Sequence, residues 1–127
     1  MKNPLRGEVW MVDLGMAAKV RPCLVLSVPL QDEDRALVTV TPHTTSLLGT
    51  RFEVPVPTRF LKPGAFDGQQ LVTIARAKFI RKLGDLDSAQ IGNVERVIRQ
   101  WLGLDDAKPP PPPVPVPPAQ SPGSPAP

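Results

Sequence analysis

The sequence predicts a mainly β domain: a small antiparallel barrel or sandwich closed by one C-terminal α-helix. Five short segments with strand-like apolar patterning, separated by Gly, Pro and Asp, carry the β part. A segment after residue 87 has helical periodicity with stop and start signals at both ends. Residues 107–127 are set apart by composition, so the domain is expected over residues 1–106.

The strands follow in order. Glu8–Leu14 (EVWMVDL) alternates in part and is rich in β-favouring Val and Trp. Pro22–Val28 (PCLVLSV) is almost wholly apolar, as a central strand covered on both faces would be. Ala36–Thr41 (ALVTVT) alternates cleanly, and Phe52–Val56 (FEVPV) does so until its prolines. Gln70–Phe79 again has period-two patterning and reads as a fifth strand.

The helix has the sharpest signals. Asp87 is a good N-cap and Gln90, three residues on, completes a capping box. Leu86 and Ile91 hold the two places of a hydrophobic staple. Ile91, Val94, Val97, Ile98, Trp101 and Leu102 form one apolar stripe, with Glu95, Arg96, Arg99 and Gln100 opposite, and Gly103 supplies the stop. The stripe is expected to pack across an open end of the barrel.

From Lys108 the chain reads KPPPPPVPVPPAQSPGSPAP and holds 11 of the 18 prolines. Proline fixes φ and removes a donor, so an extended polyproline stretch with a flexible end is expected there. Apolar residues make up 41% of the chain, enough for one core, but the apolar runs are far shorter than a membrane span. The start, MKNPLRGEVW, lacks the apolar region of a signal peptide, and Cys23 is the single cysteine, which rules out an internal disulfide. A cytoplasmic protein is expected. Net charge is +3, of which Lys108 supplies one, so the domain is only modestly basic. Such a balance permits a nucleic-acid partner without arguing for one.

One His and one Cys at unrelated positions cannot build a zinc site, and neither a phosphate-cradling glycine loop nor a nucleophile elbow is present. Cys23, inside an apolar run, reads as core. Two segments invite a functional reading. Lys19-Val20-Arg21-Pro22 opens the most apolar strand, and Pro22 restricts Arg21 to extended backbone, which fixes a guanidinium at the rim. Thr41-Pro42-His43-Thr44-Thr45-Ser46 leaves the third strand as a hydrogen-bonding loop. Taken singly, each also fits an ordinary solvated charge or a turn.

Together they resemble something definite. RGEVWMVDL, then RPCLVLS, then a strand ending PHTT, then FEVPV, is similar in block order to the MazF/PemK toxins, and the similarity runs from about Arg6 to the WLGL that closes the helix. The resemblance implies an SH3-like barrel, a homodimer, and cleavage of single-stranded RNA without metal or cofactor. It also implies a cognate antitoxin that covers the active site. By the same resemblance Arg21 and Thr44 are the catalytic residues; Lys19, His43, Thr45 and Ser46, from the two segments singled out, and Gln69 are expected around them on the substrate.

The chemistry suits these residue types. Attack of a 2′-hydroxyl on phosphorus needs charge stabilisation, which the planar fork of Arg21 provides, while a guanidinium is a poor base. Thr44 can donate to a phosphate oxygen. His43 is the only imidazole, so a two-histidine mechanism is excluded, and strand alternation points it away from Thr44. The chain also departs from the family pattern. The loop Gly15–Val20 lacks the acidic sequence many members have there, and Asp67 in Phe66-Asp67-Gly68-Gln69-Gln70 could replace an acidic group only in function, not in position. The residue that moves the proton is therefore unassigned. A nonenzymatic SH3-like module binding peptide or RNA, and a DNA-acting toxin or DNA binder of similar fold, remain as alternatives.

Overall fold

The computed structural model describes residues 2–15 and 19–104; the proline-rich segment 107–127 lies outside them. Seven strands are present among the described residues: β1 Glu8–Asp13, β2 Val20–Val25, β3 Leu37–Thr44, β4 Glu53–Val54, β5 Ala65–Asp67, β6 Val72–Ala75 and β7 Phe79–Asp85. Helix α1, Ser88–Leu102, follows. All pairings are antiparallel, in the order β4-β5-β3-β2-β1-β7, with β6 also on β3. The order ends at β4 and β7, so the fold is barrel-like without a closed ladder.

Two expectations about strands are corrected. Gln70–Phe79 is not one strand: β6 ends at Ala75, a single 3-10 turn covers Arg76–Lys78, and β7 begins at Phe79. Its period-two pattern spans two strands that pair with different neighbours, β6 with β3 and β7 with β1. The third strand, in turn, runs on to Thr44, so Thr41–Thr44 is strand and not loop. Pro42 is tolerated there because the outer edge of β3 changes partner at that point. Leu37–Val40 pair with β6 and His43–Thr44 with β5, leaving Thr41 and Pro42 opposite the 3-10 turn Gly68–Gln70.

Central strands β1, β2 and β3 are covered on both faces. Of the expected strand Pro22–Val28, only the part to Val25 is strand and its buried core is Cys23–Val25, while Val28 lies beyond it, 72% exposed. Val9, Leu24 and Phe66 face the helix, where Val94, Val97 and Ile98 close a core with Phe52, Val54 and Val56. Val12, Cys23, Val25, Val38, Val40 and Phe79 form a second core on the other face. Each such fully buried side chain contributes roughly 1.5–3 kcal/mol relative to exposure. Cys23 has no exposed surface, and burial pushes its thiol up to about 12, as expected of a core residue.

The helix starts as the sequence predicts. The Asp87 carboxylate accepts the Gln90 amide at 2.8 Å while the Gln90 side chain accepts the Asp87 amide at 2.9 Å. Leu86 and Ile91 meet in the same core, and Gly103 (φ 72°) ends the helix in the left-handed region. The apolar stripe is not covered to its end: Trp101 touches Phe52 edge-on yet is 44% exposed, and Leu102 is 47% exposed.

Candidate functional site

The β1–β2 hairpin sets one wall. Lys19 takes a left-handed conformation (φ 57°), its amide donating to the Gly15 carbonyl at 3.0 Å and its carbonyl accepting the Leu14 amide at 2.9 Å. β2 therefore starts at a fixed point, with Arg21 across the ladder from Val12 and Pro22 across from Met11. The β2–β3 ladder begins only at Cys23, so Pro22 sits where one edge of its strand has no partner.

The end of β3 forms the second wall. Thr41 is buried and donates its hydroxyl to the Asp67 carbonyl at 2.8 Å, which ties β3 to the turn after β5. His43 is 4% exposed, with its ring edge-on to Phe66 at 5.1 Å between centroids. Burial holds its pKa below the ordinary 6.5, so the ring is neutral at neutral pH. The Thr44 hydroxyl accepts the Ser46 amide at 3.0 Å, which leaves its own hydrogen for an external acceptor. Glu53 folds the following loop: its carboxylate accepts the amides of Leu48, Gly49 and Thr50 at 2.9, 2.7 and 3.1 Å. Those bonds bring its pKa down from the usual carboxylate value.

These walls enclose, with Phe60–Lys62 and the β7 residues Arg81 and Leu83, a cleft of about 490 Å³. Lys19, Arg21, His43, Thr44, Thr45 and Ser46 all line it, so six of the seven residues singled out in the sequence converge. Gln69 does not. It belongs to the 3-10 turn Gly68–Gln70, where its amide donates to Asp67 Oδ1 at 3.0 Å. Asp67 is occupied in that turn and does not line the cleft either.

Sequence reading missed three contributors: Phe60, Lys62 and Arg81. Phe60 and Lys62 lie in the connection between β4 and β5, which carries no periodicity. Arg81 was hidden by a register shift. Phe79 pairs with Val12 and Arg81 with Met11, so two β7 residues that simple alternation would put on one face end up on opposite faces. Among the described residues the cleft is lined by four cations, Lys19, Arg21, Lys62 and Arg81, and by no carboxylate. The chain's modest net charge is thus unevenly spread, and a concave cationic wall focuses attraction for an anion. Among the described residues no group of three or more His, Cys, Asp or Glu side chains is placed to hold a metal ion.

Residues 5–102 match the family model of the PemK-like, MazF-like toxins of type II toxin–antitoxin systems. Solved structures share the fold. An endoribonuclease in complex with its cognate antitoxin from a mycobacterial species is 24% identical, with 80% of this chain and 97% of that chain covered and a TM-score of 0.69. A MazE–MazF complex from Deinococcus radiodurans is 20% identical over 83% of this chain and 100% of that one, with a TM-score of 0.70. The Mycobacterium tuberculosis toxin MazF-mt6 is 27% identical over 77% of this chain and 98% of that one, at 0.66.

Proposed function

Because this chain belongs to the PemK-like, MazF-like family of toxins of type II toxin–antitoxin systems, we propose that it is an endoribonuclease that cuts single-stranded RNA without a metal ion. The observation that carries this reading is that, among the described residues, four cations and no carboxylate line the cleft that Thr44 also lines. A phosphodiester is the substrate such a lining favours. The similarity to a mycobacterial endoribonuclease bound to its cognate antitoxin supports both the activity and a neutralising protein partner. A homodimer in the cytoplasm completes the proposal.

In the proposed reaction the ribose 2′-oxygen attacks the adjacent phosphorus and the bond to the 5′-oxygen breaks. The products are a 2′,3′-cyclic phosphate and a 5′-hydroxyl. The 2′ proton leaves to a base, and the departing oxygen gains a proton. Arg21 neutralises charge that grows on the non-bridging oxygens. Thr44, held by the Ser46 amide, donates its hydroxyl hydrogen to the same group. With no carboxylate among the described lining residues, proton transfer is assigned to an imidazole, a hydroxyl or solvent. His43, neutral but 4% exposed, serves first as the packed ring that holds the end of β3 against Phe66.

Incubation with a long single-stranded RNA, its perfect duplex and the matching single-stranded DNA tests the proposal, with cuts mapped by primer extension. Discrete cuts in the single-stranded RNA alone are expected. Binding without cutting would return a nonenzymatic module, and cut DNA would return a DNA-acting toxin.

A further inference from the structure

The cleft is larger than one phosphate needs, and part of its lining is apolar. Among the described residues Phe60 is the only carbocyclic aromatic side chain on its lining, which it shares with Lys62, Arg81 and the apolar Leu83. The ring is held from behind. A Cβ on Gly84 would lie 2.5 to 2.7 Å from three atoms of the Phe60 ring, so the bare backbone of Gly84, in β7, is what allows the ring to rest there. Phe60 also packs against the core that faces the helix, so its position is fixed. A fixed aromatic ring on a lining that also carries cations is an arrangement that can receive a nucleobase: the ring stacks on the base and the cations hold neighbouring phosphates.

We infer that Phe60, backed by Gly84, is the floor of a nucleobase subsite, which stacks a base of the strand whose phosphate lies at Thr44. This rests on the proposed action on RNA and adds to it a residue that grips the base rather than the phosphate. Stacking reads the flat face that every base has, so the subsite contributes affinity with little sequence preference of its own. Gly84 acts as a positioning residue, since any side chain there would overlap the ring and displace it.

A cycle of protein and ligand changes tests the subsite. The ligands are labelled 2′-O-methyl oligonucleotides, whose attacking hydroxyl is blocked. They carry the sequence mapped at the cut, or are the four homopolymers if wild-type protein cuts nothing, and each is also made with single abasic positions. Phe60→Leu should weaken binding about tenfold on the intact strand, a typical stacking loss. On the strand abasic at the contacted position it should change binding less than twofold. Phe60→Tyr should bind like wild type, and Gly84→Ala should lose affinity on the intact strand as Phe60→Leu does. Melting temperatures of all variants separate loss of fold from loss of stacking. Equal losses on intact and abasic strands, or no loss in Phe60→Leu, would overturn the subsite. Failure of wild-type protein to cut RNA would overturn the enzyme proposal alone, because the binding cycle does not depend on cleavage.

Discussion

Gly64 lies against Thr44 with no room for a side chain: a Cβ there would overlap the Thr44 carbonyl oxygen and stand 2.8 Å from His43 Cε1. Ala65, the next residue, pairs with Thr44 in the β3–β5 ladder. The loop that carries Lys62 is thus set directly on the backbone of the proposed catalytic threonine, and a glycine is needed for the approach. Gly64→Ala should cost about 1–3 kcal/mol by overpacking and, by shifting Thr44, lower cleavage by about 10²-fold. Urea unfolding and initial rates on one RNA check the two effects separately.

The four cations of the cleft predict a specific response to salt. If Lys62 and Arg81 each neutralise one RNA phosphate, Lys62→Ala and Arg81→Ala should each reduce the slope of log K against log salt by about 0.7. A charge outside the cleft such as Arg35, which is exposed, should leave the slope unchanged when replaced by Ala. Titrations of an uncleavable oligonucleotide at several salt concentrations measure this.

His43 predicts an acid-side loss of stability. Its pKa is lowered in the folded state by burial, so the unfolded chain takes up a proton first as pH falls. Stability from the neutral ring is complete above about 6.5 and is lost below it, down to the folded pKa, at up to about 1.4 kcal/mol per pH unit. His43→Phe should flatten the stability profile in that window. The lowered carboxyl of Glu53 titrates in a separate window, below its usual 4.5, and should loosen the loop after Ser46 there. Denaturant midpoints from about pH 2.5 to about pH 8 cover both windows and are the measurement.

The proline-rich segment contributes nothing to this account of the site. Deletion of residues 107–127 should leave both the melting temperature and the cleavage rate unchanged, and a large loss of rate would show that the segment belongs to the working unit.

Local chemistry made much of this legible. The capping box of Asp87 and Gln90, the restriction Pro22 puts on Arg21 and the hydroxyl-rich end of β3 are all written in neighbouring residues. The latter two segments hold the six cleft residues Lys19, Arg21, His43, Thr44, Thr45 and Ser46. What stayed hidden is long-range. Arg81 reaches the cleft through a register shift in the β1–β7 ladder, which no pattern within β7 encodes. Lys62 and Phe60 come from an aperiodic connection whose path is set by contacts with Gly84 and Thr44. Gln69 was misplaced for a related reason. Gln69 precedes what looks like a continuous strand, yet the chain makes a 3-10 turn there because β3 has changed partner at Pro42.

The central claim is that Arg21 and Thr44 carry metal-free transesterification, and the chemistry of the RNA ends tests it most directly. RNA is incubated in EDTA with wild type, Arg21→Ala and Thr44→Val, and the ends are probed by phosphorylation with a kinase that requires a free 5′-hydroxyl. Wild-type protein should give 5′-hydroxyl ends. Thr44→Val should fall by about 10²–10³-fold and Arg21→Ala by at least as much, with both proteins still folded. Full activity in folded Arg21→Ala, or 5′-phosphate ends from the wild type, would contradict it.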